Sequence, residues 1–170
     1  YEVTLKKLSD EAEMQLFNEI EIPLITVLGE MQFNGMKCNK DTLNNFGMEL
    51  RAKIDELTKK IYDYAGEEFN INSPKQLGEI LFEKMEIPGG KKTKTGYSTA
   101  ADVLEKLAPD YSVIKKILSY RQLTKLYSTY VKGLIGYIED DGRIHGIFHQ
   151  TVTATGRLSS AEPNLQNIPV

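Results

Sequence analysis

The chain has 170 residues, 41% hydrophobic and 26% charged, with a formal net charge of −3, the balance of a globular protein able to bury a core and not of a disordered tail. No run of about 18 apolar residues occurs, which excludes a membrane-spanning helix, and no basic-then-apolar leader opens the chain. Cys38 is the single cysteine, which excludes an internal disulfide and makes a reducing, cytosolic setting the expectation.

The charge is unevenly spread. From Gly89 to Lys132 nine basic residues face three acidic ones, a local balance of +6 that leaves −9 for the rest. Such a chain can turn one face to an anionic partner. It does not start with methionine and stops at Pro169-Val170, so a piece of something longer is expected.

In chain order, Ser9 followed by Asp10 and Glu11 predicts a helix start. Apolar residues at Met14, Phe17, Ile20, Leu24, Val27, Leu28 and Met31 give that helix its stripe, with Pro23 marking a kink and Gly35 its end. A short extended link through Met36 and Lys37 leads to Asn39 or Asp41, either of which can cap a second long helix through Leu43, Leu50, Ile54, Ile61 and Tyr64, closed by Gly66. Ser73, Pro74 and Gln76 predict a capping box. The helix that follows runs through Leu77, Ile80, Leu81 and Met85 to a stop at Pro88-Gly89-Gly90. After the loop KKTKTGYST, Ser98 or Thr99 should cap a helix through Val103, Leu104 and Leu107. The longest pattern spans about Ser112 to Ile138, with Val113, Ile117, Tyr120, Tyr127, Val131 and Leu134 on a core face and Arg121, Lys125, Ser128 and Lys132 on a basic flank. Asp140-Asp141-Gly142 signals a turn, and Arg143 to Thr153 alternates as one or two strands would.

Little of this suggests catalysis. His145 and His149 could share a metal on a helix, but on a strand they stand ~13 Å apart, so strand-face histidines are expected. Glu139, Asp140 and Asp141 read as a solvated turn more than as a magnesium site. No nucleophile constellation is present. GGKKTKTG, from Gly89 to Gly96, fails the Walker pattern because Lys91 is followed by Lys92; what remains is a flexible cationic loop tip suited to a phosphate backbone.

The segment from Thr153, TATGRLSSAEPNLQNIPV, is different: small, hydroxyl-bearing and amide-bearing residues surround one arginine. Together with FNINSPKQLGEILF, KKTKTGYST, YRQLTKLYSTYV and GRIHGIFHQTVTATGRLSS, it resembles the thumb-to-palm segment of the bacterial family A DNA polymerases, over essentially the whole chain. The resemblance implies a mainly α fold, the long antiparallel helices of a polymerase thumb with a short β segment at the C-terminal end. Residues 1–10 would be the tail of a preceding exonuclease-like domain, 11–141 the thumb and 142–170 the β entry into the palm.

The resemblance also implies roles. Lys91, Lys92, Lys94 and Thr95 would form the tip on the DNA backbone, Arg121 and Lys125 would meet DNA from the long helix, and Arg157, Asn164, Gln166 and Asn167 would line the minor groove near the primer end. An arginine and amides there can sense base-pair geometry without reading sequence. Partners would be primer–template DNA and, in the parent only, deoxynucleoside triphosphates with Mg2+; a cytoplasmic, nucleoid-associated monomer without membrane contact is expected. The chain departs from the family at Tyr127, where a lysine is common. The palm carboxylates of the family would lie beyond Val170, so the piece alone should not polymerise, and its terminal stretch should have little to pack against. The rival reading is a helical protein-interaction module whose basic face docks on an acidic protein.

Overall fold

The computed structural model describes residues 2–10, 12–94 and 96–168. In chain order, α1 (Glu2–Asp10) is followed by α2 (Met14–Leu16), which widens into a π-turn (Phe17–Glu21) and continues as α3 (Ile22–Asn34). Then come β1 (Met36–Lys37), α4 (Lys40–Ala65) and α5 (Pro74–Glu79), the last prolonged by a second π-turn (Ile80–Lys84). A hairpin of β2 (Lys92–Thr93) and β3 (Gly96–Tyr97) precedes α6 (Ala101–Leu107) and α7 (Ser112–Lys125); α7 passes through a third π segment (Leu126–Lys132) into α8 (Gly133–Ile135). Last are β4 (Arg143–Ile144), β5 (Ile147–His149), β6 (Ser159–Ala161) and a 3-10 turn (Leu165–Asn167). The fold is mainly α, and its strands pair antiparallel as β1–β4, β2–β3 and β5–β6. The chain forms two compact units, one of Thr42–Lys132 and one of Tyr1–Asp41 with Gly133–Val170.

The Thr42–Lys132 unit is built on one apolar cluster. Ile61, Leu77, Leu81, Leu104, Ile114 and Ile117 are fully buried, and Ile71, Phe82, Val113 and Tyr120 complete the layer. Truncating a residue such as Leu104 to alanine removes about 2–5 kcal/mol in a core of this kind. Gly66, with φ +73, ends α4 as expected.

The capping box at α5 is only half made. Ser73 Oγ accepts from the Gln76 N–H at 3.4 Å, but the Gln76 side chain accepts from Asn70 N at 2.7 Å, and Ser73 N donates to Asn70 O at 2.9 Å. Asn70 folds its own turn by accepting from Asn72 N, which places its amide within reach of Gln76 first. The cap expected of Ser98 or Thr99 is likewise replaced: Ala100 holds the N-cap position of α6 without a side-chain bond, because Thr99 is buried and engaged elsewhere. The single long helix expected from Ser112 loses its α register at Leu126.

The second unit starts one element earlier than the sequence suggests. Ser9 lies inside α1, the chain reverses at Ala12 (φ +57), and Glu13 precedes α2 without a side-chain cap. Pro23 has no N–H, and its ring would press on the carbonyl four residues back. The helix relieves this by widening, so that Ile22 N–H bonds to Phe17 O. Of the expected apolar stripe only Leu28 is buried, while Ile20, Val27 and Met31 are about half exposed.

The link after α3 is fixed by β4, with Met36 opposite Ile144 and Lys37 opposite Arg143. Two cationic or protonatable side chains then cover the last carbonyls of α3, the negative end of its dipole. Arg143 Nη1 donates to Asn34 O at 3.0 Å and Gly35 O at 3.2 Å, and His145 Nδ1 donates to Gln32 O at 2.8 Å. His145 therefore sits off the strand, between β4 and β5, and His149 on it. The expectation that both histidines share a strand face is corrected: strand pairing is interrupted at His145 and Gly146, and Gly146 is buried beside the carbonyls of Ala161 and Pro163.

The terminal stretch also departs from expectation, because it has packing partners. Ser159, Ser160 and Ala161 pair with His149, Phe148 and Ile147. A cis Glu162-Pro163 bond and the 3-10 turn follow.

Candidate nucleic-acid interface

In the Thr42–Lys132 unit the basic sequence becomes a narrow hairpin. Lys92 pairs with Tyr97 and Thr93 with Gly96, and Ser98 N donates to Lys91 O at 2.8 Å below them. Lys91, Lys92 and Lys94 are all exposed. Thr95, between the strands, lies outside the described residues.

The foot of the hairpin is rigid because its one aromatic is trapped. The Tyr97 ring stacks on Phe82 with centroids 5.1 Å apart, and a Cβ on Gly90 would lie 2.7 Å from Phe82 and 3.0 Å from Tyr97. Gly78 of α5 is close as well, its Cβ position 3.1 Å from Tyr97 Cβ. Lys92 Nζ lies 5.7 Å from the Tyr97 ring centroid, near enough for the ring face to hold the ammonium without neutralising it.

Arg121 of α7 is placed beside this hairpin, but its guanidinium is already engaged. Nη1 donates to Thr99 O and Nη2 to Thr99 Oγ1 at 3.1 Å. Burial pulls the Arg121 pKa below its ordinary value. Together with Asn72, Thr93, Tyr97 and Ser98 these groups line an open groove of about 560 Å3. Lys125, one turn further along α7, is exposed.

The residues expected at the minor groove belong to the other unit. Arg157 is exposed, and its carbonyl accepts from Thr153 Oγ1. Asn164 caps the 3-10 turn by accepting from Gln166 N at 3.0 Å, and Gln166 Nε2 donates to Leu158 O at 2.8 Å. Asn167 ends that turn, exposed. Asn164 and Gln166 thus spend part of their hydrogen-bonding capacity holding the loop. What remains to them includes the Asn164 NH2 group and, on Gln166, one N–H and the carbonyl oxygen.

Sequence reasoning missed the residues that hold this geometry. Thr99 and Ser160 are 5% and 6% exposed, and Ser160 Oγ accepts from Leu165 N at 3.0 Å. Gln32 Oε1 accepts from Phe148 N at 2.7 Å, and Gln150 Nε2 reaches Glu21 O and Oε2. No local pattern could point to Thr99, whose partner lies 22 positions away.

Residues 40–170 match the model of DNA polymerase family A. The chain belongs to that family. It is 56% identical over 169 residues to the DNA polymerase I of Lactococcus lactis subsp. cremoris, covering 99% of this chain and 19% of that protein. Against the DNA polymerase I of Bacillus subtilis and of Geobacillus stearothermophilus the identities are 53% and 50% over 170 residues, with the same coverage. Among solved structures it is similar to the polymerase domain of Pol1 from M. smegmatis in complex with DNA primer-template and dNTP, at 40% identity and a TM-score of 0.86, covering 97% of this chain and 29% of that one. The chain therefore spans about a fifth of the length of the curated relatives it matches.

Within the family A sequence the tyrosine at 127 has a structural use. Gly47 of α4 approaches the third π segment so closely that a Cβ there would lie 2.8 Å from Val131 and 3.5 Å from the Tyr127 ring, and Lys132 Nζ sits 5.4 Å from the centre of that ring. Position 127 faces a neighbouring helix, so the apolar side of the predicted wheel is correct.

Proposed function

We propose that this chain is the part of a family A DNA polymerase that grips primer–template duplex, and that by itself it does not polymerise. The observation that carries the reading is the hairpin bearing Lys91, Lys92 and Lys94, three exposed cations on a foot locked by Tyr97. A cationic tip on such a foot neutralises phosphates and releases their counterions whatever the sequence. The Pol1 structure it resembles was solved with primer-template bound. Arg157, with the unspent groups of Asn164 and Gln166, offers donors and an acceptor suited to groups that the minor groove presents at every base pair.

In the parent, the reaction would be template-directed transfer of a nucleotide from a deoxynucleoside triphosphate to a primer 3′ hydroxyl. Among the described residues no three His, Cys, Asp or Glu side chains are grouped to hold a metal ion. Mg2+ belongs in this reading to carboxylates elsewhere in the parent, where it supplies charge stabilisation for phosphoryl transfer. No helix among the described residues is long and apolar enough to cross a membrane, which is compatible with a monomer working in the cytoplasm at the nucleoid.

Fluorescence anisotropy with two labelled duplexes of unrelated sequence tests the reading. Affinities should agree within about twofold, as backbone binding requires. Strong preference for one sequence, or no binding to either, contradicts it.

A further inference from the structure

We propose that Arg121 is a positioning residue, which serves duplex binding by fixing the return limb of the lysine hairpin through Thr99 instead of by touching phosphate. The proposal rests on the reading of that hairpin as the DNA grip.

Both terminal nitrogens of the guanidinium are given to one residue, the carbonyl and the hydroxyl of Thr99. Thr99 is 5% exposed and lies where the chain leaves β3 for α6. It is tied to the hairpin on one side, since its neighbour Ser98 donates to Lys91 O at 2.8 Å, and to the helix on the other, since Ser98 Oγ accepts from Ala100 N at 3.4 Å. Its methyl packs beside Gly78 of α5, 3.7 Å from where a Cβ would stand. Arg121 thus pins the base of the hairpin to α7, which buries Val113, Ile114, Ile117 and Tyr120.

The chemistry favours this over a direct phosphate contact. A planar fork can satisfy a carbonyl and a hydroxyl on the same residue at once, which a lysine ammonium cannot do in the same geometry. Pulling the guanidinium toward phosphate would leave the buried Thr99 hydroxyl and carbonyl without their donor. Lys125 and the hairpin lysines have no such duty and are exposed, so they carry the ionic contacts.

A double-mutant cycle on the full chain tests this, with duplex affinity measured by anisotropy and the fold checked by circular dichroism. Arg121→Ala and Arg121→Lys should each weaken binding about tenfold, because lysine restores charge but not the fork. Thr99→Val, which removes only the hydroxyl, should weaken it by a smaller factor and covers the case in which Arg121→Ala does not fold. In a Lys91→Gln, Lys92→Gln, Lys94→Gln background the same Arg121 changes should cost almost nothing, since there is no cationic tip left to position. An equal cost in both backgrounds, or full rescue by Arg121→Lys, overturns the proposal while leaving the hairpin reading intact. Unchanged affinity of the triple glutamine variant overturns the hairpin reading and this proposal with it.

Discussion

His145 donates from Nδ1 to the carbonyl of Gln32 at 2.8 Å, joining residues 113 positions apart. Its other ring nitrogen faces Asp141 Oδ2 at 3.1 Å. Both partners are acceptors, and a neutral imidazole has one N–H, so only the imidazolium satisfies both. The hydrogen bonds to Gln32 and Asp141 accordingly raise the His145 pKa above its usual 6.5, and the bond from His145 holds the Asp141 carboxyl below 3.8.

The sign of the pH dependence follows. The share of stability from His145 is fully present below pH 6.5 and is lost as pH rises through its raised folded value. The share from Asp141 is present above pH 3.8 and lost as pH falls through its depressed one. Urea midpoints should therefore decline from pH 6 to pH 9 in the natural chain, and decline less in His145→Gln. NMR of the imidazole should give a titration midpoint above 6.5; a midpoint below it would contradict the pairing of His145 with Gln32 and Asp141.

Gly35 has φ +60, and a Cβ there would come within 2.7 Å of the His145 ring. Gly35→Ala should cost about 1–3 kcal/mol, from left-handed strain and from displacing the imidazole. Gly29, in the exposed face of α3, has nothing within 4 Å of its Cβ position, so Gly29→Ala should stabilise by about 0.5–1 kcal/mol. Chemical denaturation of the pair separates the steric clash from a general effect of adding a methyl.

Ser160→Ala should strip the Leu165 N–H of its buried acceptor at a cost of about 1–3 kcal/mol. Amide exchange at Leu165 and Gln166 should rise first, because Asn164 and Ser160 hold the same turn. Exchange unchanged there would mean that the turn is held by its 3-10 bonds alone.

Helix content was legible wherever period and punctuation agreed, as in α4 between Asn39 and Gly66 and in α5 behind Ser73-Pro74. It was less legible where a helix widens, because π-turns at Phe17, Ile80 and Leu126 keep the apolar period nearly intact while shifting its register. The lysines marked a cationic loop at 91–94, but not that its limbs pair as β2 and β3. Long-range clasps were not legible. Arg121 reads as a surface cation until Thr99 arrives from 22 residues upstream, and His145 reads as a strand histidine until Gln32 does.

The most direct test of the central claim is the salt dependence of duplex binding by the natural chain and by the Lys91→Gln, Lys92→Gln, Lys94→Gln variant. The plot of log Kobs against log salt should fall steeply for the natural chain and lose about 2–3 units of slope in the variant, near 0.9 for each phosphate contact removed. Identical slopes and affinities for the two proteins would contradict the assignment of the hairpin as the DNA grip.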